Sequence, residues 1–159
     1  AFMAEVKSKC KACKVQIVET TLSQAASGQI PTIMVNALRA NPGATYLFFD
    51  NATWSNGIMP ALDAAGLKGR IKVGGAGLDA NALSFLKASA QVAWTASNFV
   101  VFGYANFDSV LRVVTKSPGI TKNSMVPIRL VTPANANEID LPFVEPANAL
   151  AQYRKLWKW

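Results

Sequence analysis

Residues 46–54 read YLFFDNATW: four large, mainly apolar side chains, then an acid, an amide, a small residue, a hydroxyl and an indole. An apolar run of four, rich in aromatics, reads as a buried strand. The hydrogen-bonding and stacking groups that follow at once read as that strand's mouth.

The same alternation extends on both sides. Upstream, a first helix over Phe2–Lys9 precedes a β-branched strand at Lys14–Thr20. Ile30, Ile33, Met34, Ala37 and Leu38 then recur at helical spacing and are closed by Asn-Pro-Gly at Asn41–Gly43. Downstream, Ile58, Met59, Leu62 and Ala65 mark a helix ended by Gly66, with Pro60 in its first turns. The strand RIKVGG, a helix over Ala80–Lys87 and the strand QVAWTAS follow. Four strands apolar on both faces, separated by helices, predict an α/β fold: an open parallel sheet with helices on both faces.

In such sheets ligands settle outside the carboxyl ends of the strands. The ends here supply Thr20, Thr21 and Gln24, then Asn51 and Trp54, then Gly77 and Asp79, then Thr95, Ser97 and Asn98. Most are neutral hydrogen-bonding groups, and with Trp54 and Trp94 available to stack they suit a small polyhydroxylated solute better than a phosphate. Asn, Ser and Asp also cap helices at these junctions, and Trp94 in mid-strand fits core packing better than a stacking role.

Composition narrows the chemistry. The 159 residues, 51% hydrophobic, can bury one sizeable core, and no apolar run approaches a membrane span. The N-terminus lacks the pattern of an export signal, so any such signal is removed or absent from this sequence. There is no histidine, which excludes Ser-His-Asp and Cys-His catalysis and the commonest transition-metal ligand. The net charge of +7 gathers at the ends, in Lys7, Lys9, Lys11 and Lys14 and in Arg154, Lys155 and Lys158, rather than on one stripe. A nucleic-acid reader would concentrate it on a binding face. Cys10 and Cys13 are too few for structural zinc, and they close a helix where a redox pair would open one. A small structural disulfide, and with it an oxidising compartment, is the favoured reading; free thiols are the alternative.

GAGLDA at Gly75–Ala80 fits a dinucleotide-binding fingerprint, but it lies in the third strand-helix unit, and Ser97 and Asn98 stand where an acidic ribose partner belongs. No cofactor is expected. NAT at Asn51–Thr53 matches a glycosylation sequon too short to weigh.

From Phe99 to Val114 the apolar residues spread around much of a helix, which predicts burial on more than one side. A Ser-Pro-Gly stop, the strand-like MVPIRLVT, a Pro- and Asn-rich excursion from Pro133 to Pro146 and an amphipathic terminal helix complete the chain.

The succession VNALRANPGATYLFFDNATWSNGIMPALDAAGL (35–67) and RIKVGGAGLDANALSFLKASAQVAWTASN (70–98) resembles the C-terminal part of the type I periplasmic binding proteins. These are the ribose-binding-protein-like solute receptors of ABC importers, and the likeness runs from about residue 2 to 133. It rests on a helix closed by Asn-Pro, an apolar strand ending in an amide, a VGG strand and an Ala/Ser-rich strand leading to a long helix.

The resemblance implies a two-lobed receptor that closes on a sugar or similar solute and presents it to a membrane permease, without enzymatic activity. It implies that residues 1–97 form a C-terminal lobe incomplete at its start, that 98–124 hold a hinge crossing and a helix of the other lobe, and that 125–159 form a return strand and tail helix. The chain then reads as a fragment, with the helix Phe99–Val114 packing on the missing lobe or a second copy. The family's strand-end amide falls on Asn51, its strand-end aspartate at Gly77 and its polar hinge residue at Ser97. The lost carboxylate argues against an ordinary pentose or hexose, unless Asp79 turns inward. A periplasmic or otherwise exported placement follows, with a lipid anchor compatible with it and nucleic acid not a partner. Two other functions compete: the effector-binding region of a lac-repressor-type regulator, which shares the fold, and a nucleotide-dependent enzyme built on Gly75–Ala80.

Overall fold

The computed structural model describes residues 2–118 and 126–157. One sheet carries four strands in the order β1 (Tyr46–Phe49), β2 (Lys72–Ala76), β3 (Ala93–Ser97) and β4 (Ile128–Val131). The first three are parallel, and β4 runs antiparallel against β3. Helices α1 (Phe2–Lys9), α2 (Leu22–Ala26), α3 (Ile30–Ala40), α4 (Ile58–Ala64), α5 (Ala80–Lys87), α6 (Phe99–Val114) and α7 (Ala149–Trp157) accompany it. The α/β class and the expected helices hold, Pro60 sitting in the first turn of α4.

Two expectations about strands are corrected. Lys14–Thr20 forms no strand; it lies at the surface, with Ile17 67% exposed. β-Branched composition fits a residue to a pleated surface but cannot supply the neighbouring strand that a ladder requires. The sheet is also not all parallel: the segment read as MVPIRLVT pairs as β4 in the opposite direction, and its Met125 lies outside the described residues. Apolar patterning is the same in either direction, so only the route taken by the chain decides it.

The register explains the core. Phe49 lies opposite Gly75, Gly75 opposite Trp94, and Trp94 opposite Val131, so these four residues stand in one row across the sheet. The period of two puts Leu47, Val73 and Ala96 on the same face. Against it pack Ile30, Met34, Val35 and Leu38 of α3, Ile58 and Leu62 of α4, and Leu83 and Leu86 of α5. Trp94 is fully buried, and its Nε1 donates to Gln91 Oε1 at 2.7 Å. A Cβ at Gly75 would stand 2.1 Å from the Phe49 carbonyl oxygen and 2.7 Å from Trp94 Cζ3. The glycine is therefore required by the Phe49 backbone on one side and the indole on the other.

The opposite face is more open. Phe2 of α1 stacks on Phe48 with ring centroids 4.3 Å apart, while Tyr46, Ile128 and Leu130 remain exposed. Beyond α1, Cys10 and Cys13 are joined by a disulfide, in agreement with the sequence reading. No helix among the described residues is long and apolar enough to cross a membrane.

Helix α6 leaves the carboxyl end of β3 and packs on α7. Trp157 meets Phe107 edge-on at 4.9 Å and donates to Asp108 Oδ1 at 3.1 Å; Asp108 also pairs with Arg112. Phe99, Phe102, Val110, Val113 and Val114 nonetheless stay exposed, so α7 covers α6 on one side only.

Burial raises the Tyr153 phenol above its ordinary value, and the Asp108 carboxylate adds to the rise. The folded helix pair thus holds the proton more tightly than the unfolded chain. That contribution is complete below the ordinary tyrosine pKa of about 10 and is lost as pH rises through the raised folded value. Near-ultraviolet circular dichroism should report loosening of α7 only at alkaline pH, and Tyr153→Phe should remove that step. Gly75→Ala should cost about 2–3 kcal/mol in urea denaturation, because its new atom meets backbone in the sheet interior.

Candidate functional site

The carboxyl edge of the parallel strands is built by the starts of the helices that follow them. Asn51 ends the chain's exit from β1 in extended conformation, and its Oδ1 accepts from Thr53 N at 2.9 Å, capping a single 3-10 turn over Ala52–Ser55. Asp79 performs the same task after β2, its Oδ1 accepting from Ala82 N at 2.8 Å to cap α5. Asn98 caps α6 after β3, where its Oδ1 accepts from Val101 N. Apolar strands feeding amphipathic helices leave unpaired N–H groups at this edge, and short polar side chains satisfy them.

Gly77 turns the chain between β2 and α5 at φ +71°, a left-handed conformation that a side chain would strain. Its N–H donates to Thr95 Oγ1 at 3.4 Å, and Asn51 Nδ2 lies 3.8 Å from where a Cβ at Gly77 would begin. Asn51, Gly77 and Thr95, from three successive strands, thus meet at one corner. Ser97 continues β3 on the same face as Thr95, half-buried and opposite Ile128 of β4. Asn51 is exposed, its Oδ1 serves the cap, and its Nδ2, in no hydrogen bond among the described residues, lies beside the corner.

The other expected residues fare differently. Trp54 is half-buried in the 3-10 turn, one side against the core and the other on a hollow. Gln24 belongs to a capping box: its Oε1 accepts from Thr21 N at 2.8 Å, while its own N–H donates to Thr21 Oγ1. Asp79 gives its Oδ1 to the cap of α5. Trp94 is fully buried, which bears out the core-packing reading over the stacking one. The fingerprint glycines are also accounted for, Gly75 by the Phe49 backbone and the indole and Gly77 by the turn.

Three features escaped the sequence reading. A hollow of about 490 Å³ opens between α2, the start of α3 and the 3-10 turn. Asn81 Nδ2 donates to Asn56 Oδ1 at 2.9 Å, tying the start of α5 to the start of α4. Asn98, 2% exposed, donates its Nδ2 to the carbonyl of Glu145 and so anchors the Pro-rich excursion near α6. The only signal for the hollow was Leu22, apolar within the polar stretch TTLSQ.

No family model and no curated protein matches the chain. Solved structures do. A carbohydrate transporter solute-binding protein from Agrobacterium radiobacter, in complex with D-arabinose, superposes with a TM-score of 0.70 at 28% identity over 84% of this chain. This is the fold of the ABC-transporter solute-binding proteins. The 5-methylthioribose transporter solute-binding protein of Thermotoga lettingae gives a TM-score of 0.71 at 18% identity over 96% of the chain. A Caulobacter myo-inositol binding protein gives 0.64 at 23% over 87%. The chain spans 44%, 52% and 47% of these three proteins, about half of each solute-binding protein. The first two are transporter solute-binding proteins and the third is a myo-inositol binding protein. Among the described residues no group of three or more His, Cys, Asp or Glu could hold a metal.

The Asp79 cap is open to a direct test. Asp79→Ala should cost about 1 kcal/mol in urea denaturation, and Asp79→Asn only a few tenths of that.

Proposed function

We propose that the chain forms one wall of the cleft of an ABC importer's solute receptor, which binds a small polar, sugar-like solute and performs no chemistry on it. The observation that carries this reading is the convergence of Asn51, Gly77 and Thr95 at the carboxyl edge of three parallel strands, in a fold whose solved examples hold D-arabinose and myo-inositol. In this reading the Asn51 Nδ2 donates to a solute hydroxyl, Trp54 offers its exposed side, and Gly77 leaves room for the solute beside the turn. Gln24 and Asp79 hold the edge in shape, and Ser97 lies at the start of a hinge.

The same reading assigns residues 1–97 to one lobe, 98–124 to a hinge crossing and a helix packed on the other lobe, and 125–159 to a return strand and tail; residues 119–125 and 158–159 lie outside the described ones. The exposed Phe99, Phe102, Val110, Val113 and Val114 of α6 supply the apolar surface for that packing. A second copy of the chain is the alternative occupant. Solute binding would then favour a closed arrangement of two lobes that a membrane permease recognises. The Cys10–Cys13 disulfide suits an exported protein.

The test uses the full-length protein, purified without refolding. Native mass spectrometry should find a retained small molecule, and Asn51→Ala should weaken its binding by about 1–3 kcal/mol in calorimetry. Unchanged affinity would return Asn51 to helix capping alone.

A further inference from the structure

The hollow beside the corner has a different character from the corner itself. Leu22, Ala25, Ala26, Pro31 and Trp54 line it with hydrocarbon, and Thr53 and Asn56 supply polar atoms. It adjoins the polar corner through the 3-10 turn, since Thr53 is the residue whose N–H is held by Asn51. Its position is fixed by local structure. The capping box of Thr21 and Gln24 sets the first residue of α2 at Leu22, and α3 and α4 start side by side, Pro31 Cγ lying 3.2 Å from where a Cβ at Gly57 would stand. Leu22 is left 76% exposed there, an apolar side chain held over an open cavity.

The side chains that meet at the corner, Asn51 and Thr95, are neutral. Gly77 carries no side chain, and Asp79 Oδ1 is taken by its cap. Hydrocarbon placed in the hollow would add apolar burial to the polar contacts of the corner, and the hollow's volume of about 490 Å³ falls within the range of about 300–1,000 Å³ usual for small-molecule pockets.

We propose that this hollow is an apolar subsite, and that the natural solute is a neutral polyol bearing one alkyl, thioalkyl or aryl substituent that lodges against Leu22 and Trp54. The proposal rests on the solute-receptor reading and specifies its ligand class. The polar ring of the solute would sit at Asn51 and Gly77 while the substituent runs past Thr53 into the hollow.

The experiment is calorimetric titration of the intact protein with D-ribose, D-arabinose and myo-inositol, and with the n-butyl and phenylthio glycosides of the same pentoses. The substituted sugars should bind at least about tenfold more tightly than the free ones. Leu22→Asp and Ala26→Trp, both at exposed positions, should abolish that advantage while leaving free-polyol affinity within about twofold; unchanged thermal unfolding establishes that each variant is folded. Equal affinity for free and substituted sugars, an advantage that survives both variants, or a retained natural solute without an apolar arm overturns the proposal and leaves solute binding intact. If no probe binds and native mass spectrometry finds no retained solute, the receptor reading falls and this proposal with it.

Discussion

The contact on which the sheet depends is the indole of Trp94 lying beside Gly75. Trp94 is the largest fully buried side chain described, and it stands in the row that joins Phe49, Gly75 and Val131 across all four strands. Its ring occupies the place where a side chain on β2 would be. Without that vacancy the strands could not keep both their hydrogen-bonding distance and the indole. Burial of a large aromatic surface, closed by the bond from its Nε1 to Gln91, ties β3 to the helices above it.

A sheet anchored in this way fixes its carboxyl edge. Because α3, α4 and α5 all lie against the same face, the connections that precede them converge on that edge, and the side chains that end the strands are drawn together. Asn51, Asp79 and Asn98 are helix caps first. Capping uses one atom of each, and what remains differs: Asn51 retains an amide nitrogen beside the Gly77 corner, Asp79 a second carboxylate oxygen, and Asn98 turns its nitrogen into the protein, toward Glu145. Residue type was common to all three; availability was not.

The apolar surfaces divide just as unevenly. One face of the sheet is packed, while Tyr46, Ile128 and Leu130 on the other are exposed, as is much of α6. Helix α7 satisfies one side of α6 through Trp157, Tyr153 and the Asp108 pair, which leaves the phenylalanines at its start outward. These are the apolar surfaces that the described residues leave uncovered.

The sequence by itself determined the helices other than α2, three of the strands of the sheet, the disulfide turn and the presence of Asn51 and Gly77 at strand ends. Each of these follows from periodicity, capping chemistry or breaker residues acting over a few neighbours. Tertiary structure alone decided that Lys14–Thr20 has no partner, that β4 runs backwards and that a hollow lies beneath Leu22. Pairing, direction and burial depend on residues distant along the chain, and an apolar pattern is the same whether its neighbour is present, reversed or absent.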